Sequence, residues 1–253
     1  MSLLLIMDVA RSDSDSDSER CFKRRRSRNV PVPSYVPVPR PLEQRRLAIA
    51  VIGHSILDDV RQVAVQRQFS ESLAVPGAQV HWLVRRGLNW RRFWAEILPV
   101  IPSLMPDIIY FHLAENDLDS PASLPAIMGA ILRQAEVLTR SLGVDVFIVS
   151  MALHRTSVRT LGLGPLGMRD RVDYFNQQMR RSLLIDPTRT SFCQGPADNF
   201  RSSRIWWWEH NRLRACPPST IAPDGVHLTP AGNNRLLHSL KRAVQQAAAA
   251  IRN

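Results

Sequence analysis

Four short segments of the sequence carry the residue types that nucleophilic acyl transfer requires. They are residues 53–55 (Gly-His-Ser), 85–87 (Arg-Arg-Gly), 114–117 (Ala-Glu-Asn-Asp) and 224–227 (Asp-Gly-Val-His). A serine hydroxyl attacks a carbonyl carbon when a neighbouring base takes its proton. The oxygen anion that forms must then be held by N–H donors. The four segments together supply a nucleophile, a base and such donors.

Each candidate residue has a distinct expected role. Ser55 is the expected nucleophile, and its own N–H, at the start of a helix, is one oxyanion donor. His227 is the expected general base, and Asp224 accepts the other imidazole N–H and fixes the tautomer. The Gly87 N–H and the Asn116 side-chain amide complete the oxyanion hole, in which one donor typically contributes about 3–4 kcal/mol of transition-state stabilisation. This chemistry needs neither a cofactor nor a metal ion.

The elements that position these segments are predicted from an alternation of strand-like and helix-like stretches along the chain. Short apolar runs, typical of buried strands, cover residues 47–52, 79–84, 107–113 and 144–151. Stretches in which apolar residues recur at helical spacing cover residues 56–69, 90–104, 123–142, 168–184 and 230–251. Strands alternating with helices predict one three-layer α/β domain over residues 47–253, a parallel sheet with helices on both faces. Functional groups collect beyond the carboxyl ends of such strands, where three of the four segments lie.

The four segments, in this order, resemble the signature blocks of the SGNH (GDSL-type) hydrolase superfamily over about residues 47–245. The resemblance implies a flavodoxin-like sheet and hydrolysis of a small ester substrate. It also implies that Ser55, Gly87, Asn116 and His227 are the four residues that give the superfamily its name. More narrowly, the phrases VIGHSI, HWLVRRGLNW, PDIIYFHLAENDL and PDGVHLTPAGN resemble the esterase-like domains of vertebrate proteins derived from transposable elements.

The sequence departs from the superfamily pattern around the proposed site. His54 stands where an aspartate usually precedes the serine, which removes a carboxylate near the nucleophile. Ala114 replaces a glycine two residues before Asn116, and alanine would strain that loop if the position needs a positive φ. Arg85 and Arg86 replace the small residues that often precede the glycine of the second block.

The charge and the N-terminal region point to a second class of ligand. The net charge is +11, and only two of the 33 basic residues are lysine. Such a charge favours nucleic acid or anionic lipid. Residues 1–46 are predicted to be a disordered tail with an acidic serine run, a Pro-rich stretch and a basic cluster at residues 23–28, typical of a nuclear-import signal or a nucleic-acid patch. The prediction is an intracellular protein, cytoplasmic or nuclear, with reduced thiols at Cys21, Cys193 and Cys216.

Other interpretations of the same residues remain open. A serine at a helix start is often an N-cap, and Asn-Asp or Asp-Gly pairs commonly form caps and turns. The run Trp206–Trp208 predicts a packed segment over the sheet edge or a pocket wall, and less readily a base-stacking or lipid-contacting platform. A non-catalytic nucleic-acid-binding module and a lipid-binding variant are therefore the alternatives to an esterase. The ordered set of four segments favours the esterase.

Overall fold

The computed structural model of the chain describes residues 46–120, 122–158, 164–183, 195–196, 204–214 and 218–252. The strands in these ranges are β1 Leu47–Gly53, β2 Ala78–Val84, β3 Ile108–His112, β4 Val146–Ser150, β5 Gly195–Pro196 and β6 Ile205–Trp208. The α-helices are α1 Ser55–Gln66, α2 Trp90–Arg92, α3 Ile101–Leu104, α4 Glu115–Leu118, α5 Leu124–Ser141, α6 Gly164–Leu183 and α7 Pro230–Arg252. A π-helix, Phe93–Ile97, and a 3₁₀ turn, Leu98–Val100, join α2 to α3, and another 3₁₀ turn covers Pro218–Thr220.

The sheet has the order β2-β1-β3-β4-β6-β5. The first five strands in this order are parallel, and the short β5 pairs antiparallel with β6 at the edge. An order in which the first strand lies between the second and the third is the flavodoxin-like arrangement. The carboxyl ends of all five parallel strands therefore meet at one edge, and the predicted fold class is confirmed.

Helices cover both faces of the sheet because side chains alternate along each buried strand. In β1, Ala50 and Ile52 belong to a core that includes residues of α3, α5 and α6. Ile49 and Val51 belong to a second core, on the opposite face, with residues of α1 and α7. Two apolar cores separated by one sheet make the three layers that the sequence predicts.

The run Trp206–Trp208 forms most of β6 and is a strand that the sequence analysis did not predict. Its register pairs Trp206 with Ile148 and Trp208 with Ser150 of β4. Each of the three tryptophans is at most 4% exposed. Because the rings pack into the two cores, they present no open face to a nucleic-acid base or a lipid surface. The interpretation as a packed segment is correct, although the run lies within the sheet.

Several predictions concern residues outside the described part of the chain. They include the tail up to residue 45, the basic cluster at residues 23–28 and the three cysteines. Among the residues that the structure describes, no helix is both long enough and apolar enough to cross a membrane.

Candidate active site

Ser55 lies at the carboxyl end of β1, where the chain turns into α1. His54 is the N-cap of this helix, and Ser55 is its first residue. The first-turn N–H groups of a helix have no partner within the helix, so the Ser55 N–H is available at this end of the sheet. Gly53 does not have the positive φ that would set it apart from other residues. It must be small because a Cβ would lie 2.6 Å from Leu57 Cδ1 and 2.8 Å from His112 O.

The structure brings Ser55, His227 and Asp224 into one hydrogen-bonded row. The Ser55 Oγ lies 3.0 Å from His227 Nε2, and His227 Nδ1 lies 2.5 Å from Asp224 Oδ2. The other oxygen of Asp224 accepts the backbone N–H groups of Val226 and His227, each at 2.9 Å. These bonds, with that from the His227 side chain contributing most, hold the pKa of Asp224 well below its usual range. The ionised carboxylate accepts the Nδ1–H, which leaves Nε2 to accept the serine hydroxyl.

Gly225 fixes the loop that carries Asp224 and His227. Its φ is +69°. Its carbonyl accepts the N–H groups of Thr156 at 2.9 Å and Ser157 at 3.1 Å, in the loop after β4. A Cβ here would lie 2.6 Å from Thr156 Oγ1 and 2.8 Å from Ser157 N. Both the backbone conformation and the close approach of a neighbouring loop therefore require glycine.

Asn116, in α4 just after β3, is held from both sides of its amide. Its Nδ2 donates to the Leu88 carbonyl at 2.7 Å, and its Oδ1 accepts from Arg155 Nη2 at 3.0 Å. The Leu88 contact brings the amide to the turn that contains Gly87, whose φ is +67°. The amide carries two N–H groups, and the bond to Leu88 uses one of them.

Asp117 caps a helix, but it is the earlier helix α2 and not the helix that follows the Asn-Asp pair, as the sequence had suggested. Both of its carboxylate oxygens lie 3.0 Å from the Trp90 N–H, at the start of α2. Burial raises the pKa of Asp117 to about 6. The cap and the Asn116 contact together attach the loop after β3 to the loop after β2, which contains Gly87.

Two of the three departures from the superfamily pattern have different consequences from those expected. Ala114 has a φ of −171°, which is extended backbone that any residue adopts, so the expected strain is absent. The residue at the second departure, His54, itself binds a carboxylate, because its Nε2 lies 2.8 Å from Glu115 Oε2. His54 and Glu115 are both fully buried. Arg85 and Arg86, the third departure, are exposed and lie at the surface of their turn.

Three further residues belong to this region and were not assigned to it from the sequence. Arg155 is a buried guanidinium, 4% exposed, and it orients the Asn116 amide. Glu115 lies inside the third segment, but only the fold shows its partners. Asp59, on α1, has a pKa raised by burial, and the nearby charges of His227 and Arg86 oppose that rise. No sequence signal marks Arg155 beyond its place after the fourth strand-like run.

His154, in the loop after β4, lies beside a separate cavity at the same edge of the sheet. Its Nε2 lies 2.8 Å from Asp173 Oδ1 on α6. The cavity has a volume of about 470 Å³, and its wall includes His154, Asp173, Arg180 and Trp207. Trp207 is therefore part of the wall of this cavity, whereas the role considered from the sequence was a wall of the acyl pocket.

Solved structures of known hydrolases share this fold. One is a GDSL-like lipase from Bacteroides thetaiotaomicron, with 14% identity and a TM-score of 0.59 over 83% of this chain and 93% of that chain. Another is Axe2, an acetylxylan esterase from Geobacillus stearothermophilus, with 15% identity and a TM-score of 0.53 over 78% of this chain and 94% of that chain. At these identities the likeness establishes the fold. A scan against protein-family models and a search of curated proteins gave no match.

Proposed function

We propose that the protein is a serine esterase of the SGNH (GDSL-type) hydrolase superfamily that cleaves a carboxylic ester through an acyl-enzyme intermediate. The observation that carries the proposal is the hydrogen-bonded row in which Ser55 Oγ lies 3.0 Å from His227 Nε2 and His227 Nδ1 contacts Asp224. This row lies at the edge of the sheet where α/β enzymes carry their functional groups. The fold shared with a GDSL-like lipase and an acetylxylan esterase supports the same assignment.

In the first half of the reaction, Ser55 Oγ attacks the ester carbonyl carbon as its proton passes to His227 Nε2. Asp224 stabilises the imidazolium that forms. The carbonyl oxygen becomes an anion and meets the N–H groups of Ser55 and Gly87 and the second N–H of Asn116. When the carbon–oxygen bond to the leaving group breaks, His227 gives its proton to the departing alcohol. The acyl group remains on Ser55.

In the second half, water replaces the alcohol. His227 takes a proton from the water molecule as the water oxygen attacks the acyl carbon, and the same donors hold the second oxygen anion. The ester bond to Ser55 then breaks, and the proton on His227 returns to Ser55 Oγ. The carboxylic acid leaves, and the site is restored without a metal ion or cofactor taking part.

Arg155 determines which end of the Asn116 amide faces the substrate. A guanidinium can only donate hydrogen bonds, so the amide atom 3.0 Å from Arg155 Nη2 must be the oxygen. The nitrogen then lies on the other side, bonded to the Leu88 carbonyl through one of its N–H groups. A donor fixed in this way needs little reorganisation when the oxygen anion forms.

Labelling with a fluorophosphonate tests the proposal directly, because this reagent modifies only an activated serine. We expect one covalent adduct, located at Ser55 by peptide mass spectrometry, and hydrolysis of a short-chain aryl ester. Ser55→Ala should abolish both, and His227→Ala should lose as much activity because the two residues act as one unit. Ser103→Ala is the matched control, since this exposed serine of α3 donates to the carbonyl of Val100 in the preceding 3₁₀ turn. A folded wild-type protein that neither reacts nor hydrolyses esters would contradict the proposal.

A further inference from the structure

A row of polar side chains runs beneath the proposed site, from α7 across the sheet ends to the start of α1. Apart from Ser239, its members are at most 5% exposed. The contacts in order are Ser239 Oγ–His210 Nδ1 (2.8 Å), His210 Nε2–Tyr110 Oη (3.1 Å), Tyr110–Ser150, Ser150 Oγ–His112 Nδ1 (2.6 Å), His112 Nε2–Glu115 Oε1 (3.2 Å) and Glu115 Oε2–His54 Nε2 (2.8 Å). Buried polar groups of this kind are costly unless each has a partner, so the direction of each bond matters.

The direction of the bonds follows from the carboxylate end, because the reverse direction would leave His112 Nε2 without a proton against the Glu115 carboxylate. Trp208 Nε1–H is only a donor, and it lies 3.0 Å from Ser239 Oγ. In the remaining direction the Ser239 hydroxyl donates to His210 Nδ1, and His210 carries its proton on Nε2, toward Tyr110. Continuing in this sense, the Tyr110 hydroxyl donates to Ser150. Every bond in this half points toward the carboxyl end of β3.

The other half ends on a single carboxylate. The Ser150 hydroxyl donates to His112 Nδ1, which places the His112 proton on Nε2, facing Glu115. From the opposite side, the Ile56 N–H points at His54 Nδ1 at 3.4 Å, so His54 carries its proton on Nε2, also facing Glu115. Glu115 thus accepts the His54 N–H and faces the His112 N–H at 3.2 Å, while both rings stay neutral. Although burial raises the pKa of Glu115, His112 and His54 together lower it well below its usual range.

Glu115 itself and two of the groups that it contacts, His54 and the Leu153 N–H, lie within two residues of the proposed site. His54 directly precedes the nucleophile, Ser55, and Glu115 itself directly precedes Asn116. The Leu153 N–H, 2.9 Å from Glu115 Oε1, is in the loop that carries Arg155 two residues later. We propose that Glu115 is a positioning residue that fixes the Ser55 turn and the Asn116 loop relative to one another, an inference that rests on the function proposed for those two residues.

His54, His112 and Glu115 are also the side-chain types found in a metal site with two histidines and one carboxylate. Their potential ligand atoms lie within 4.8 Å of one another. His112 Nε2 lies 3.2 Å from Glu115 without good hydrogen-bond geometry, and it is the atom that an ion would use. Two observations favour the hydrogen bond between His54 and Glu115 over a bound metal ion. The bonds along the row give each imidazole a neutral tautomer, and the charge of Arg155 acts on His54 and would repel a cation.

Two substitutions of His54 separate its two contacts. The amide nitrogen of a glutamine reaches the place of Nε2, so His54→Gln keeps the bond to Glu115 and loses the helix cap. The amide oxygen of an asparagine reaches the place of Nδ1, so His54→Asn keeps the cap and loses the bond to Glu115. We expect His54→Asn to lower kcat by about 100-fold with KM nearly unchanged, and His54→Gln to keep a kcat at least about ten-fold higher than His54→Asn. The reverse order would overturn the proposal, because it would assign the effect to the cap.

Glu115→Gln tests the carboxylate itself, because the amide NH₂ group that replaces one carboxylate oxygen cannot accept a hydrogen bond from the N–H group it would face. Hydrogen exchange followed by mass spectrometry should show faster exchange in residues 53–57 and 114–118 together, with α5 unchanged. We expect kcat to fall about 100-fold, as for His54→Asn. Glu136→Gln is the control, because Glu136 forms an exposed pair with Arg140 within α5.

The two measurements distinguish failure of this inference from failure of the proposed function. A wild-type protein that hydrolyses no ester disproves the esterase proposal, and the exchange pattern of Glu115→Gln then decides the positioning role alone. Faster exchange in only one of the two segments, or throughout the protein, would overturn that role. So would an equimolar metal ion in the purified wild-type protein that Glu115→Gln loses, as measured by elemental analysis.

Discussion

At the scale of single residues, the proposed chemistry depends on donors that are fixed before the substrate arrives. Asn116→Ala should lower kcat by about 10²–10³-fold with little change in KM, because its second N–H meets a charge that exists only in the transition state. Steady-state kinetics with a short-chain aryl ester measures this separation of kcat from KM. Asn89→Ala is the matched control, since the Asn89 side chain caps α2 by accepting the Arg92 N–H at 2.9 Å.

The control should lose about 1 kcal/mol of unfolding free energy, the usual cost of removing a cap, and keep its kcat. A fall in kcat for both variants would assign the effect of Asn116→Ala to loss of structure. An equal rise in KM with unchanged kcat would show that Asn116 binds the ester in its ground state, which contradicts its role as an oxyanion donor.

At the scale of the elements, the position of His227 depends on a loop that is held by Gly225. Gly225→Ala should lower both the unfolding free energy and kcat, because a Cβ would meet Thr156 and Ser157 within 3 Å. Gly143→Ala is the matched control, since its φ of +70° is nearly the same as the +69° of Gly225 and no atom lies within 4 Å of its Cβ position. The control should show only the cost of a left-handed residue, about 1–2 kcal/mol, with kcat unchanged.

Denaturant unfolding and ester kinetics on the two variants separate the backbone cost from the steric cost. Equal losses of stability with wild-type kcat in both variants would contradict the role given to the contact between the Gly225 loop and the loop after β4. A larger loss of unfolding free energy in Gly225→Ala, accompanied by a fall in kcat, would show that this contact keeps His227 aligned with Ser55.

The helices and strands also show how much of the fold and of the candidate site could be predicted from the sequence. Four strands and the positions of the functional loops were predictable, because each strand is a short apolar run and three of these runs end at residues that carry the proposed chemistry. β6 was missed because its apolar run, Ile205–Trp208, has only four residues and lies directly between two charged residues, Arg204 and Glu209. The partners of Glu115 were not predictable, since its contacts with His54 and Leu153 join residues 61 and 38 positions apart in the chain. Such pairings arise only when neighbouring strands bring their ends together.

At the scale of the whole molecule, one edge of the sheet collects groups from five distant parts of the chain. Ser55 follows β1, Gly87 follows β2, Asn116 follows β3, Arg155 follows β4, and His227 precedes α7. In a parallel sheet all the carboxyl ends lie on the same side, so short loops are sufficient to bring these residues together. The helices on both faces bury the rest of each strand and keep that edge rigid.

The net charge of +11 is a property of the whole chain that the esterase proposal does not use. We propose that the basic cluster at residues 23–28, which contains five lysine and arginine residues, binds nucleic-acid phosphates. Each phosphate contact on duplex DNA contributes about 0.9 to the slope of log Kobs against log salt concentration. Deleting residues 23–28 should therefore weaken binding to a DNA duplex and reduce that slope by up to about 4.5, with ester hydrolysis unchanged.

Fluorescence anisotropy over a range of salt concentrations measures the affinity and its slope together. A deletion of equal length at residues 13–18, which removes three aspartates and three serines, is the control. Because it removes negative charge, it should leave binding unchanged or strengthen it. If the deletion of residues 23–28 changes neither the affinity nor the slope, the cluster makes no phosphate contacts. A lower affinity with an unchanged slope would also contradict the proposal, because the loss of phosphate contacts must reduce the number of ions released on binding.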